Sequence, residues 1–483
     1  MSNPRDSIQF LLDGVVTSID FNAFPGLKPT TTVLNYLRSL PFHKGVKEGC
    51  AEGDCGACTV VIAENCNGRL KYRAVDSCLV FLPMLHGKQL ITVENLASGS
   101  ELHPVQQALV NHYGSQCGYC TPGIVMSLFA LYKNYRNPGR QIVGDALTGN
   151  LCRCTGYQSI IEAAEAACQG EDNDKFAQHE ENTVRRLMQI ATDKSPIQIL
   201  TPKQKYYKPF TLADALDFRK LYPESLVVSG ATDVALHQTK KRELLSGIID
   251  ISDVSGLNYF REDENTFLLG SGLPLEILKK HSQEKLPALH EILEVFGSLQ
   301  IRNLATLGGN AGSASPIGDM LPILYACKAI IKLQSTDTER LVSIEDFIKG
   351  YRTTDIRESE LITAIHIPKP DPETITKSYK VSKRKEMDIS SVSACFSLSL
   401  RNETVKEIIL AFGGMASQPK RATQTERFLA EKPWTRLVVE EAMQILYREF
   451  SPISDARAGA EYRNLVARNL LMKFYLDTLT VKP

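Results

Sequence analysis

The sequence predicts a multidomain α+β protein, and three observations lead there. Short β-type runs joined by hairpin turns occupy roughly the first 90 residues, and capped segments of helical periodicity follow as far as residue 168. After a polar, acidic stretch, helix-like and strand-like segments alternate to the C-terminus. A chain of 483 residues with 43% hydrophobic residues can build about three separate cores.

Taken in order, Ile8 to Leu12 reads as a strand, Asp13-Gly14 as a hairpin turn, and Val15, Val16, Thr17 and Ile19 as a second strand. Thr32 then precedes Val33, Leu34, Leu37 and Leu40, whose spacing marks one face of a short helix. A cysteine-rich loop, the strand Thr59 to Ile62, the turn Asn67-Gly68 and the strand Leu70 to Val75 complete a ferredoxin-sized unit over residues 1–90. Pro104 opens a helix with Val105 and Leu109 on one face, and Gly114 stops it. Thr121 and Pro122 read as N-cap and first residue of a helix reaching Tyr135, which Asn137-Pro138-Gly139 breaks. A third helix ending near Gly149 and a fourth from Ser159 to Cys168 give a four-helix domain over 91–168.

The polar residues beginning Gln169-Gly170-Glu171-Asp172 predict a linker over 169–195. The helix Thr211 to Leu221 and the strands Leu226 to Val228 and Phe267 to Leu269 then predict an α/β domain over 196–370. Pro368 to Pro372 marks its end. The strand-like Cys395 to Leu400 and Ile408 to Phe412, with the helix-like Leu465 to Leu476, give a small α+β domain over 371–483. No internal repeat is visible.

Lys+Arg and Asp+Glu each number 55, so no charge excess points to nucleic acid or an anionic membrane. The N-terminal Met1 to Asp6 carries charge and proline where a secretory leader needs an apolar run. No stretch approaches the roughly 18 to 20 apolar residues that span a bilayer. A cytoplasmic protein is expected, and in that reducing compartment cysteines bind metal or do redox chemistry more often than they form structural disulfides.

Eight of the 12 cysteines fall into two sets. Cys50-x4-Cys55-x2-Cys58, with Cys78 as the distant fourth member, has the spacing of plant-type [2Fe–2S] ferredoxins. Gly53 and Gly56 allow the positive φ angles that such a loop needs. Cys66 competes for the fourth place but sits beside the Asn67-Gly68 turn. Cys117-x2-Cys120 with Cys152-x-Cys154 forms the second set, whose spacing suits iron–sulfur or zinc equally. A structural zinc site normally uses two C-x2-C knuckles about 15 to 20 residues apart, and the first set has no second knuckle. Cys168, Cys327 and Cys395 are isolated and read as small buried hydrophobes.

No G-x-G-x-x-G follows a strand after residue 196, so a Rossmann fold has no support. Two other small-residue loops suit a phosphate: Ser229-Gly230-Ala231-Thr232-Asp233 after the strand Leu226-Val227-Val228, and Ala305-Thr306-Leu307-Gly308-Gly309-Asn310. Consecutive N–H groups in such loops form anion nests, with the Thr232 and Thr306 hydroxyls as extra donors. Without analogy, such loops are more often plain turns.

Three motifs closely resemble the two-cluster segment of the xanthine dehydrogenase family of molybdenum hydroxylases: Gly53-Asp54-Cys55-Gly56-Ala57-Cys58-Thr59, Gly114 to Gly123 around Cys117-Gly118-Tyr119-Cys120, and Gly149-Asn150-Leu151-Cys152-Arg153-Cys154-Thr155-Gly156-Tyr157. The resemblance implies two [2Fe–2S] clusters, one in a ferredoxin-like β-grasp domain and one in the four-helix domain. It also implies that Gln116 approaches the pterin of the molybdenum cofactor, on the side where Cys154 lies. The order of the two loops and Ser315-Pro316-Ile317-Gly318-Asp319 is similar to the FAD domain of that family and of carbon monoxide dehydrogenase flavoproteins. It implies that Leu226 to Asp233 and Thr306 to Asn310 hold the FAD diphosphate, that Phe296 packs on the flavin nucleotide, and that Asp319 binds its ribose or adenine side. Ile362 and Lys380 would line the same site; read without the resemblance, Phe296 is a core aromatic and Lys380 a solvated charge. The tail resembles the flavoprotein C-terminal domain.

Single-chain relatives continue into a long molybdenum-binding region, whereas this sequence ends at Pro483. The expectation is the small subunit of a two-subunit xanthine dehydrogenase, assembled as a heterotetramer of two small and two large subunits. The partner would bind molybdopterin and hydroxylate hypoxanthine and xanthine to urate; electrons would pass through both clusters to FAD and on to NAD. No residue of this chain is expected to catalyse purine hydroxylation. An electron-transfer subunit for an aldehyde or N-heterocycle hydroxylase is the alternative within the class, and a zinc-stabilised scaffold the alternative outside it.

Overall fold

The run Thr59-Val60-Val61-Ile62-Ala63 is apolar on both faces, as a strand buried between two layers must be, and it organises the N-terminal half. In a computed structural model of the chain, residues 5–24, 26–170 and 172–480 are described. Residues 1–4, part of the case against a secretory leader, and Glu171 of the acidic stretch lie outside them. Two compact units are present: Met1–Ser255 with Gly297–Ala305, and Gly256–Phe296 with Thr306–Pro483.

The first unit opens with β1 (Ser7–Leu12) and β2 (Val15–Asp20), joined through Asp13 and Gly14 at φ 49° and 83°. Helix α1 (Val33–Ser39) is capped by Thr32, whose hydroxyl accepts the Asn35 N–H at 3.2 Å. With β3 (Thr59–Cys66), β4 (Arg69–Asp76) and β5 (Gln89–Ile91) the sheet runs β2-β1-β5-β3-β4, and β1 and β5 are parallel. This is a β-grasp arrangement. Val60 and Ile62 point into a core with Phe10, Leu37 and Leu85. Val61 and Ala63 point the other way, onto Ile124, Leu128, Phe129 and Val143.

That second face carries α2 (Pro104–Asn111), α3 (Thr121–Asn134), α4 (Arg140–Leu147) and α5 (Gln158–Ala167). The expected N-cap of α3 is corrected: Cys120 is already helical at φ −81°, ψ −17°, so Thr121 lies inside the helix. Its hydroxyl pairs with that of Ser115 at 2.7 Å. Residues 169–195, read as a linker, instead carry α6 (Lys175–Gln178) and α7 (Glu180–Ile190). Asp174 at the end of their acidic lead-in is buried. Asp174 caps α6 through the Ala177 N–H at 2.8 Å and pairs with Lys133 at 2.9 Å and His103 at 3.0 Å.

The unit continues with β6 (Ile197–Leu200), β7 (Lys205–Lys208), α8 (Leu212–Leu221), β8 (Leu226–Val228), α9 (Ala235–Thr239) and β9 (Gly247–Asp250). Their sheet runs β6-β7-β9-β8, with β9 parallel to both neighbours. Ile197, Ile199, Tyr206 and Ile248 share the core of Phe10 and Leu85. A ladder of charges crosses the same region. Lys208, fully buried, holds Asp250 at 2.8 Å and Asp253 at 2.7 Å; Asp253 meets Lys88 at 2.9 Å; Lys88 meets Glu64 at 3.4 Å, and Glu64 pairs with Arg73.

Among the described residues the second unit holds two larger antiparallel sheets and the two-stranded pair Ile348–Gly350 with Thr353–Thr354. One orders Phe260–Glu262, Thr266–Gly270, Leu361–Pro368, Ile330–Gln334 and Glu339–Ser343. The other orders Ile375–Val381, Val392–Arg401, Thr404–Gly413 and Lys420–Arg421, and packs Phe396 and Phe412 against Trp434 and Phe474. Phe474 belongs to the terminal helix Ala460–Thr480, longer than its apolar spacing suggested. Among the described residues no helix is long and apolar enough to cross a membrane.

Two outcomes follow from the buried charges. Lys208→Met leaves Asp250 without its cation and Asp253 with Lys88 alone, and should cost about 3–5 kcal/mol, read as a lowered denaturation midpoint of the first unit. His86 accepts the Gln9 N–H at 3.2 Å and packs on Phe210. Burial first, then Arg5 and Lys208, push its pKa down to about 3. The unfolded chain protonates His86 near 6.5, so between pH 6.5 and about 3 the unfolded state binds more protons and stability falls as pH falls. His86→Gln should flatten that decline in urea midpoints measured across the window.

Candidate iron–sulfur and flavin sites

The first cysteine loop bends through positive φ at Ala51 (56°), Gly53 (77°) and Gly56 (67°). This curvature turns main-chain N–H groups toward sulfur. The N–H of Cys50 reaches Cys55 Sγ at 3.3 Å, and those of Glu52 and Asp54 reach Cys50 Sγ at 3.4 and 3.2 Å. The four thiols lie as two neighbouring pairs, Cys50 with Cys55 and Cys58 with Cys78, each member shifting the other's pKa. Within the first pair, the bond from Cys50 is the largest effect on Cys55 and, against burial, brings it down to about 6; the same bond, aided by burial, pushes Cys50 up. Cys58 is raised by its bond to Cys78 and by burial.

The second set pairs likewise, Cys120 with Cys152 and Cys117 with Cys154. Burial, then the bond to Cys152, pushes Cys120 up to about 12; for Cys152, burial is outweighed by bonds from the Thr155 hydroxyl and nearby N–H groups. The Thr155 hydroxyl lies 3.1 Å from Cys152 Sγ, and the Tyr157 hydroxyl accepts the Cys152 N–H at 2.7 Å. Gln116, Cys117 and Cys154 are exposed, whereas Cys58 and Cys78 are buried.

Two pairs of thiols are the donor set that a two-iron core requires, each iron taking two. The donor sets suit [2Fe–2S] clusters, which Cys50, Cys55, Cys58 and Cys78 and Cys117, Cys120, Cys152 and Cys154 would hold. Cys66 ends β3, seven residues beyond Thr59, or about 23 Å along the strand. Sequence reasoning missed Asp76. It is fully buried, 3.6 Å from Cys58 Sγ, and burial followed by the Cys50 charge raises it to about 7.

In the first unit β8 delivers Leu226, Val227 and Val228 to the loop Ser229 to Asp233, where Ala231 has φ 59°. Gly230 has no alternative, since a Cβ there would stand 1.8 Å from the Leu304 carbonyl oxygen. In the second unit Thr306 caps the helix Leu307–Ser313, its hydroxyl accepting the Gly309 N–H at 3.0 Å. A Cβ on Gly308 would meet Ser271 at 2.5 Å. Asn310 Oδ1, Ser271 Oγ and Thr363 Oγ1 are buried without a hydrogen-bond partner, so polar atoms beside this loop await a polar ligand. FAD fits such a cradle.

Lys380 is not a solvated charge: its buried Nζ lies 3.1 Å from Asp319, which also accepts the Ser390 hydroxyl at 2.6 Å. Lys380 also donates to the Glu386 carbonyl at 3.2 Å. Ile362 is buried 3.3 Å from the Cβ position of Gly312, and Phe296 is half-buried.

Three family models match: a [2Fe-2S] binding domain over residues 92–165, the FAD binding domain in molybdopterin dehydrogenase over 201–370, and the CO dehydrogenase flavoprotein C-terminal domain over 377–478. The xanthine dehydrogenase of Emericella nidulans is 30% identical over 534 residues, covering 98% of this chain and 39% of its own length. That of Drosophila pseudoobscura pseudoobscura is 33% identical over 507 residues, covering 93% of this chain and 38% of its own. The chain thus spans about two fifths of these relatives. Among solved structures, a cyanide-inactivated Cu,Mo-CO dehydrogenase chain aligns with TM-score 0.53 at 23% identity, over 57% of this chain and 97% of its own. A chain of quinoline 2-oxidoreductase from Pseudomonas putida 86 aligns with TM-score 0.53 at 22% identity, over 58% of this chain and 98% of its own. These two likenesses are likenesses of fold.

Replacing Cys78 by Ser should remove one of two EPR signals from the reduced, iron-loaded protein and lower its iron and sulfide content. Cys66→Ser should leave both signals in place.

Proposed function

We propose that this chain, which belongs to the molybdenum hydroxylase family through its [2Fe–2S] and FAD-binding domains, is the electron-transfer subunit of a xanthine dehydrogenase. The observation that carries the reading is the two-plus-two pairing of thiols at two places in one unit, in a chain that also has a flavin-binding domain. Bound clusters supply one-electron exchange and FAD couples it to two-electron chemistry. The protein residues bind and orient these groups. The N–H groups around Cys50 and Cys55 favour the thiolate forms that ligate iron, and the small-residue loops present N–H groups to a diphosphate.

The exposed side of the second set supports a molybdopterin-binding partner there. Val110 (59% exposed), Tyr113 (85%), Tyr119 (49%) and Leu151 (39%), close in sequence to Gln116, Cys117 and Cys154, are exposed apolar side chains of the kind a partner covers. A heterotetramer of two such chains with two molybdenum subunits, with NAD as acceptor in the cytoplasm, is part of the proposal. Relatives named xanthine dehydrogenase align along nearly the whole chain, which favours a purine substrate. The fold likeness to CO dehydrogenase and quinoline 2-oxidoreductase chains supports a second reading, the same role beside a hydroxylase for another heterocycle or an aldehyde.

Purification from its native source should yield the chain with a molybdopterin-containing partner, FAD, and two distinct rhombic EPR signals on reduction. The complex should oxidise xanthine faster with NAD than with oxygen. Isolation without a molybdenum partner would remove the proposal, and turnover of quinoline or an aldehyde in preference to xanthine would favour the second reading.

A further inference from the structure

Three glycines bring the two cysteine loops of the first unit into main-chain contact. Gly56 lies between Cys55 and Cys58, Gly123 follows Cys120 by three residues, and Gly149 precedes Cys152 by three. A Cβ on Gly56 would stand 2.3 Å from the Gly149 carbonyl oxygen, and one on Gly123 would stand 2.2 Å from that of Gly56. Across this seam the Leu151 N–H donates to the Cys55 carbonyl at 3.1 Å. Leu151 is bonded to Cys152. The path from the Cys55 sulfur to the Cys152 sulfur is therefore covalent apart from one hydrogen bond.

The side chain before Leu151 holds that bond in register. Asn150 Nδ2 donates to the Gly56 carbonyl at 3.1 Å and lies 3.2 Å from Thr59 Oγ1. Its Oδ1 accepts from Ser127 Oγ at 2.6 Å and from Gln300 Nε2 at 3.0 Å, and Gln300 Nε2 also reaches Ser127 Oγ at 2.9 Å. All three residues are essentially inaccessible to water. Gln300 belongs to the turn Leu299–Arg302, itself fixed by Arg302, whose guanidinium grips both oxygens of Asp145 at 2.8 Å. Gln300 Oε1 would lie 2.3 Å from a Cβ on Gly149, so the amide closes the seam where a side chain would open it. A buried polar network of this kind fixes one arrangement in a way that apolar packing does not.

We infer that Asn150, Ser127 and Gln300 are positioning residues for electron exchange between the two cysteine-held centres, acting by keeping the Cys55–Leu151 hydrogen bond closed. The inference rests on the reading that both sets hold [2Fe–2S] clusters. The step moves one electron from the reduced centre to the oxidised one; no covalent bond forms or breaks, and no proton need move. These residues touch neither centre, so their effect is on coupling and not on ligation.

The test uses the complete, cofactor-loaded enzyme with Gln300→Leu, which removes both donated hydrogen bonds at similar volume, and Ser127→Ala as the milder change. Low-temperature EPR of the fully reduced protein reads the spin–spin splitting between the centres, and flash reduction reads the rate of electron redistribution. Both rhombic signals should persist, with the splitting diminished and redistribution slowed severalfold, more in Gln300→Leu. Should Gln300→Leu fail to assemble, Ser127→Ala decides the matter. Variants with a lowered thermal midpoint but wild-type splitting and rate would overturn the inference, leaving a stabilising role only. Failure of the unmodified enzyme to give two signals would instead remove the cluster reading, and the inference with it.

Discussion

The carbonyl of Gly56 is the contact on which the cysteine region is built. It accepts the Thr59 N–H at 3.1 Å, the Thr59 hydroxyl at 2.7 Å and the Asn150 amide at 3.1 Å, while Gly123 presses against it. The first two bonds end the loop and start β3; the third ties in the segment before Cys152; the close approach sets where α3 leaves Cys120. A residue with φ 67° and no room for a Cβ has one occupant. The elements that carry both thiol sets are thus referred to a single peptide group, and their relative placement does not depend on surface loops.

From that shared point the two sites diverge in environment. Cys58 and Cys78 sit in the apolar layer below β3, next to the Asp76 carboxyl, while Cys117 and Cys154 are open to water. Two effects oppose each other at the first site: burial disfavours added negative charge, and N–H groups aimed at sulfur favour it. At the second site solvent stands where the protein is absent. Under the proposed cluster reading, the same ligand chemistry would meet a buried surrounding at one site and a solvent-open one at the other, and the open site is the side proposed for a partner.

The sequence made the cysteine sets legible because ligand spacing and tight-turn glycines are local properties, and it made the first hairpins legible for the same reason. Asp13-Gly14 and Asn67-Gly68 both adopt the positive φ angles their residues suggest. What it hid depends on distant partners. Gln300 meets Asn150 across 150 residues of chain, and nothing in Leu299-Gln300-Ile301 marks it as part of a redox seam. Nothing local marks Asp174 or Lys208 as buried, because their counter-ions, Lys133, Asp250 and Asp253, lie on other elements. The acidic content of residues 169–182 therefore suggested a linker where burial of Phe176, Val184 and Leu187 makes two docked helices.

The flavin loops show the reverse case, a feature that looks weak in sequence and is costly in structure. Buried hydroxyl and amide groups without partners destabilise a fold by about 1–3 kcal/mol each. Ser271, Asn310 and Thr363 carry three such atoms in and beside the Thr306–Asn310 loop, and in the same unit the Lys380–Asp319 pair is also taken out of water. Apolar replacements at these places would relieve the penalty if packing were their purpose. Retaining polar groups makes sense when a ligand rich in donors and acceptors completes them, because its binding energy then adds to the stability of the folded state. On that argument the polar groups of this loop tie ligand binding to the folding energetics of the second unit, and FAD bound there would add to its stability as well as carry electrons.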